Sequence, residues 1–124
     1  MIKVGVIGCG YWGPNLIRNL NALPECELVS VADLDQTRLD HVGKLYPDTR
    51  MTTDHAAIVG DDAIDAVVVA TPMGTHFELG KQVLESGKHL FLEKPMATSS
   101  EDCRALNAMA AERDLQLMVG HTCL

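Results

Sequence analysis

Aromatic side chains are scarce in this 124-residue chain: two Phe, two Tyr and one Trp make up 4% of it. Proteins that hold single-stranded nucleic acid by stacking bases need more such platforms. Basic charge is also short, with 10 Lys and Arg against 17 Asp and Glu and a net charge of −7. A surface of that sign repels phosphate backbones and anionic lipid, so neither nucleic acid nor a membrane is an expected partner. The longest unbroken apolar run is Ala66 to Ala70, far below the roughly 20 residues of a bilayer-spanning helix. Met1 leads directly into a strand-like run, without a basic region or cleavage site, so no signal peptide is expected. Cys9, Cys26, Cys103 and Cys123 form no C-x-x-C pair and no metal-ligand spacing. No metal is expected, and the chain reads as reduced and cytoplasmic. Repeats and low-complexity segments are missing too.

What remains is a composition that builds a core, with 47% hydrophobic and 22% charged residues. The length fits a single domain over residues 1–124. Short β-branched or apolar runs recur at Ile2 to Ile7, Leu28 to Ala32, Ala66 to Ala70, His89 to Leu92 and Gln116 to Val119, with a weaker, edge-like run at Thr49 to Thr52. Runs that are apolar at nearly every position suit strands buried on both faces, as in a parallel sheet. Helical patterns lie between them. Pro14 to Leu23 places Leu16, Ile17, Leu20 and Leu23 along one side, and Pro24 ends it. Gln36 to Tyr46 aligns Leu39 and Val42, and Pro47 stops it. Thr75 to Ser86 opens with Thr75 and Glu78 at capping-box spacing and closes before Gly87. Thr98 and Glu101 repeat that spacing ahead of Asp102 to Arg113, where Cys103, Leu106 and Ala110 share a face. Asp54 to Val59 fits one short helix. Alternating strands and helices predict an α/β fold: a doubly wound parallel sheet of about six strands with helices on both faces.

The first strand runs into Gly8-Cys9-Gly10-Tyr11-Trp12-Gly13, a G-x-G-x-x-G sequence. Its context is a strand before, a helix after, and Asp33 closing the next strand about 20 residues beyond Gly13. In that setting Gly8 permits a tight turn and Gly10 lets backbone approach a pyrophosphate. Gly13 lets the helix pack close on the sheet. The helix N-terminus then presents N–H groups to phosphate. The simpler alternative is a turn that only needs small residues. Asp33 is placed to accept hydrogen bonds from both hydroxyls of an adenine ribose and to repel a 2′-phosphate, which favours NAD over NADP. Asp35 is a second candidate for that role. Arg38 is either a solvated helix residue or a group that neutralises a 2′-phosphate.

Two further loops leave carboxyl ends of strands: Ala70-Thr71-Pro72-Met73-Gly74-Thr75-His76 and Glu93-Lys94-Pro95. With the glycine loop and Gly87-Lys88-His89, in this order, they resemble the Gfo/Idh/MocA family of NAD(P)-dependent sugar and inositol oxidoreductases. The resemblance spans the whole chain, as that family's N-terminal Rossmann domain. Gly10-Tyr11-Trp12-Gly13-Pro14-Asn15-Leu16 is most similar to the branch acting on nucleotide-linked sugars. The resemblance implies that Lys94 sits by the nicotinamide, touches the substrate and helps move the proton of the hydroxyl being oxidised. It implies that Glu93 meets the nicotinamide-side ribose and that Thr71 and Pro72 line the cofactor. His76 would stand near its phosphates or ribose. Tyr11 and Trp12 belong to the cofactor loop. Each role has a plainer alternative. Glu93 and Lys94 also fit an exposed ion pair, His76 a first helical turn, and His121 a frayed tail. His41, His55 and His89 read as structural or surface residues.

Members of that family carry a second α/β domain that supplies most substrate contacts, and this sequence ends at Gly120 to Leu124, where they cross into it. The reading is therefore a cofactor-binding domain that lacks the substrate half of the site. Sugar or nucleotide-sugar substrate would bind only with that half supplied, and weak self-association is expected from the uncovered surface. Two alternatives remain: an active NAD-dependent sugar dehydrogenase completed by another subunit, and a non-enzymatic module that binds NAD and NADH.

Overall fold

Strands with apolar side chains on both faces belong in the interior of a parallel sheet, and the fold is arranged around them. A computed structural model of the chain describes residues 1–8, 13–71, 73–93 and 100–120, with only the backbone of Pro14, Leu16, Met73 and Glu93. Its strands are β1 (Ile2–Ile7), β2 (Cys26–Ala32), β3 (Arg50–Thr52), β4 (Ala66–Val69), β5 (His89–Glu93) and β6 (Leu117–Gly120). The helices are α1 (Gly13–Ala22), α2 (Gln36–Leu45), α3 (Ala56–Val59), α4 (His76–Glu85) and α5 (Ser100–Glu112). A 3₁₀ turn, Met73–Thr75, leads into α4.

The sheet order is β3-β2-β1-β4-β5-β6 and every pairing is parallel. The order reverses between β1 and β4, so their carboxyl ends flank the crevice where open α/β sheets take ligands. The fold is the doubly wound α/β Rossmann type expected from the sequence. Alternation along β4 divides the core: Val67 and Val69 join Ile58, Leu79, Val83, Leu84, Leu90, Leu92 and Leu106 on one face, while Val68 joins Val4, Val6, Ile17, Leu39 and Val42 on the other. Thus α3, α4 and α5 cover one face and α1 and α2 the opposite one. Gly5 makes the α3 contact possible, because a Cβ there would lie 2.6 Å from Ile58 Cγ2.

Local departures from the sequence reading have local causes. Strand β2 begins at Cys26 rather than Leu28, since Cys26 and Glu27 pair with Ile2 and Lys3 although Glu27 faces solvent. Leu23 is 46% exposed instead of sharing the buried side of α1. The helix has already ended at Ala22, and Leu23 sits in the turn whose carbonyl accepts the Cys26 amide. The expected Thr75–Glu78 capping box is not formed. Thr75 is helical in conformation and makes no side-chain cap; its hydroxyl meets that of Thr71 instead. The capping pair at Thr98 and Glu101 has Thr98 outside the described residues; α5 begins at Ser100, ahead of the expected Asp102. Among the described residues, no helix is long and apolar enough to cross a membrane, and no group of three His, Cys, Asp or Glu is placed to hold a metal ion.

Candidate functional site

The carboxyl edge of the sheet is tied together one residue beyond the strands. Gly8 N–H donates to Ala32 O at 2.7 Å, Ala70 N–H to Ile7 O at 2.8 Å and Asp33 N–H to Thr52 O at 3.1 Å. These bonds fix the departure of the loops after β1, β4 and β2 relative to one another. Gly8 has φ +96, a conformation that glycine adopts freely and other residues only at a cost. A Cβ at Gly8 would stand 2.8 Å from Thr71 Cγ2 and 2.9 Å from the Ala70 carbonyl. The first glycine of the G-x-G-x-x-G sequence thus answers both a backbone and a packing demand.

Between these loops lies an open cleft of about 900 Å³, lined among others by Gly8, Asp33, Leu34, Arg38, Thr71 and Gly74. That volume is large for a small-molecule site and suits an extended ligand. One wall follows β2. Asp33 Oδ1 accepts the Asp35 amide at 2.8 Å, which fixes the direction of its carboxylate. Asp35, the other acid considered for the ribose, is the N-cap of α2: Oδ1 accepts the amides of Thr37 at 2.9 Å and Arg38 at 3.4 Å. Arg38 reaches back to Asp35 Oδ2 at 3.8 Å, with 56% of its side chain exposed. It also lines the cleft, so it combines a solvated helix position with access to the ligand space.

The opposite wall is built from the end of β4, the 3₁₀ turn and α4, including Thr71, Thr75, Glu78 and Gln82. Thr71, expected to line a cofactor, lines this wall of the cleft. His76 does not line the cleft. It is the first residue of α4, 1% exposed, and its Nε2 lies 2.8 Å from the Thr71 carbonyl oxygen. A carbonyl only accepts, so Nε2 carries the proton. His89 is exposed, and its Nδ1 accepts the Gln116 amide at 3.0 Å. Gly13 opens α1 and Glu93 ends β5 beside Gly120. Cys9, Gly10, Tyr11, Trp12, Pro72, Lys94, Pro95 and His121 lie outside the described residues.

The cleft also has lining residues that sequence reasoning missed. Leu34, 90% exposed, projects from the loop beside Asp33, and Thr53 and His55 approach from the β3–α3 connection. The available signal was Leu34 itself, an apolar residue between two aspartates after a strand. His55 gave no signal, because only the neighbouring position of β3 brings it to this wall.

The model of the oxidoreductase family with an NAD-binding Rossmann fold, Gfo/Idh/MocA, matches residues 2–121. The chain belongs to this family. Similar Gfo/Idh/MocA proteins include scyllo-inositol 2-dehydrogenase (NADP(+)) IolW of Bacillus subtilis, 32% identical over 120 residues that are 97% of this chain and 33% of the relative. Inositol 2-dehydrogenase 1 of Saccharopolyspora erythraea is 34% identical over 119 residues, 94% of this chain and 35% of the relative. Among solved structures, GenD2 from gentamicin A biosynthesis, in complex with NAD, superposes with a TM-score of 0.91 at 34% identity, over 96% of this chain and 34% of its own. KijD10, a 3-ketoreductase from Actinomadura kijaniata in complex with NADP and TDP-benzene, gives 0.90 at 32% identity, over 96% and 37%. The chain spans about a third of the length of the curated relatives it matches. It is thus an NAD(P)-binding Rossmann domain of the Gfo/Idh/MocA oxidoreductases.

Proposed function

We propose that residues 1–124 form the cofactor half of a dehydrogenase acting on a sugar or polyol hydroxyl, and that they hold NAD in preference to NADP. Asp33 carries the cofactor preference. Its carboxylate follows β2 directly, lines the cleft and has its direction set by the Asp35 amide. A fixed carboxylate there accepts hydrogen bonds from ribose hydroxyls and repels a 2′-phosphate. Asp35 is committed to capping α2, which leaves Asp33 as the ribose acid. A pyrophosphate over the loop from Gly8 to Gly13 would meet the N-terminus of α1, and Thr71 stands on the facing wall.

The relatives divide on cofactor: IolW is named for NADP, GenD2 was solved with NAD, and KijD10 with NADP. The second reading, NADP use, is favoured by Arg38, a guanidinium on the same wall as Asp33. The nicotinamide ring supplies a hydride acceptor when bound. In this reading Glu93 holds the adjoining ribose, and Lys94 takes the proton of the hydroxyl being oxidised and steadies the developing alkoxide. The name of IolW, an inositol dehydrogenase, supports a polyol-type substrate, and the similarity of the glycine-loop sequence to the nucleotide-sugar branch supports a nucleotide-linked sugar. Positioning a substrate carbon against the nicotinamide accounts for roughly 7–11 kcal/mol of barrier lowering. The 124 residues alone are therefore expected to bind cofactor and to turn over sugars poorly.

Calorimetric titration with NAD, NADH, NADP and NADPH, followed by a sugar-oxidation assay at saturating cofactor, tests the reading. Binding of NAD and NADH about tenfold or more tighter than their phosphorylated counterparts is the expected result, each tenfold being about 1.4 kcal/mol. A preference for NADP contradicts the role of Asp33, and robust turnover contradicts the need for a substrate half.

A further inference from the structure

Of the described histidines, His76 alone is buried, and the cofactor reading gives it no contact with ligand. Its surroundings form a continuous packed unit. Nε2–H of His76 donates to the Thr71 carbonyl at 2.8 Å. One residue earlier, the Thr75 hydroxyl meets the Thr71 hydroxyl. Thr71 Cγ2 and the Ala70 carbonyl close directly over Gly8, leaving no room for a Cβ. Ala70 N–H ties the same turn to Ile7 O. The start of α4, Thr71 and Gly8 are thus joined through successive direct contacts.

We propose that His76 is a positioning residue for the dinucleotide: its imidazole holds Thr71 against Gly8 and so sets Gly8 before ligand arrives. The proposal rests on the reading of the cleft as the cofactor seat. The Thr71 carbonyl is half-buried and has the His76 imidazole as its donor; an apolar side chain at position 76 would leave it free to turn toward solvent. The turn, and Gly8 with it, would then have to be ordered at the expense of binding energy. An adenosine moiety seated by Asp33 and Leu34 should feel this little. Those residues follow β2, two strands from β4 in the sheet, or about 10 Å at the usual strand spacing.

The test uses the 124-residue chain with His76→Leu, which removes the donor, and His76→Gln, whose amide nitrogen can replace Nε2. Titrations with NADH and with adenosine are paired with ¹⁵N spectra of the imidazole. The wild-type ring is expected to show a protonated Nε2 with slow proton exchange. NADH affinity should fall about tenfold or more in His76→Leu, the scale of one lost hydrogen bond. It should stay within about threefold in His76→Gln, and adenosine affinity within about threefold in both. If the leucine variant does not fold, His76→Gln and the ring spectrum decide by the same criteria. The proposal is overturned by a folded His76→Leu with wild-type NADH affinity, by equal losses for NADH and adenosine, by a glutamine variant no better than leucine, or by an unprotonated Nε2. A wild-type chain that binds no dinucleotide overturns the cofactor reading as well, whereas unaffected variants of a binding chain overturn only the role of His76.

Discussion

Alanine at Gly8 and alanine at Gly87 impose the same backbone problem in different surroundings. Both glycines have φ in the left-handed range, +96 and +84. Holding a non-glycine residue there costs roughly 1–2 kcal/mol. A Cβ at Gly87 meets nothing within 4 Å, whereas one at Gly8 lies 2.8 Å from Thr71 Cγ2 and 2.9 Å from the Ala70 carbonyl. Forcing a methyl into packed surroundings adds about 1–3 kcal/mol. Gly87→Ala should therefore destabilise by about 1–2 kcal/mol and Gly8→Ala by about 2–5 kcal/mol. At about 4 °C per kcal/mol for a domain of this size, the midpoints should drop by about 4–8 °C and about 8–20 °C. The assay is thermal unfolding followed by circular dichroism, with NADH titrated into each variant well below its midpoint. Gly87→Ala, at the opposite end of α4 from the cleft, should bind as the wild type does; Gly8→Ala should lose affinity. Equal midpoint drops, or a Gly8→Ala variant that binds NADH normally, would refute the packing of Gly8 against the β4 turn.

Replacing Asp33 with Ser removes an acceptor worth about 1.5–3 kcal/mol per hydrogen bond. Titration should show NAD weakened about tenfold or more and NADP gaining relative to it; an unchanged ratio would shift the decision to Arg38. Asp35→Ala removes the α2 cap, and chemical denaturation should show a loss of about 0.5–2 kcal/mol. Its effect on NAD affinity should be smaller than that of Asp33→Ser, since Asp35 serves the helix; the reverse order would exchange the two acids' roles.

The sheet was legible because its central strands carry their burial in the residue types. Val67, Val68 and Val69 are apolar in succession, and only a strand covered on both faces needs that. The edge strand β3 was legible as weak for the converse reason, since Arg50 is exposed and it has one neighbour. That Gly8 and Asp33 share the cleft was legible because a glycine ending one strand and an acid following the next stand at a fixed separation, and Gly8 takes a positive φ there. Thr75 misled as a cap because the residues before it already coil as a 3₁₀ turn, which the four-residue spacing cannot reveal. For His76 the resemblance implied a place near the cofactor and the residue pattern a place in a first helical turn; it is the first residue of α4 and is buried, and that its ring turns inward depends on the packing of α4 on the sheet. Leu34 and His55 converge only once β2 and β3 pair, so no local pattern marks them as neighbours.

The most direct test of the account is an NADH titration of the ¹⁵N-labelled chain followed by amide shifts. The cleft at the carboxyl edge predicts saturating changes at Gly8, Asp33, Leu34, Thr71 and Gly74, with Cys26, Glu27 and Thr49 at the opposite edge unmoved. Changes concentrated at that opposite edge, or none at millimolar NADH, would contradict it.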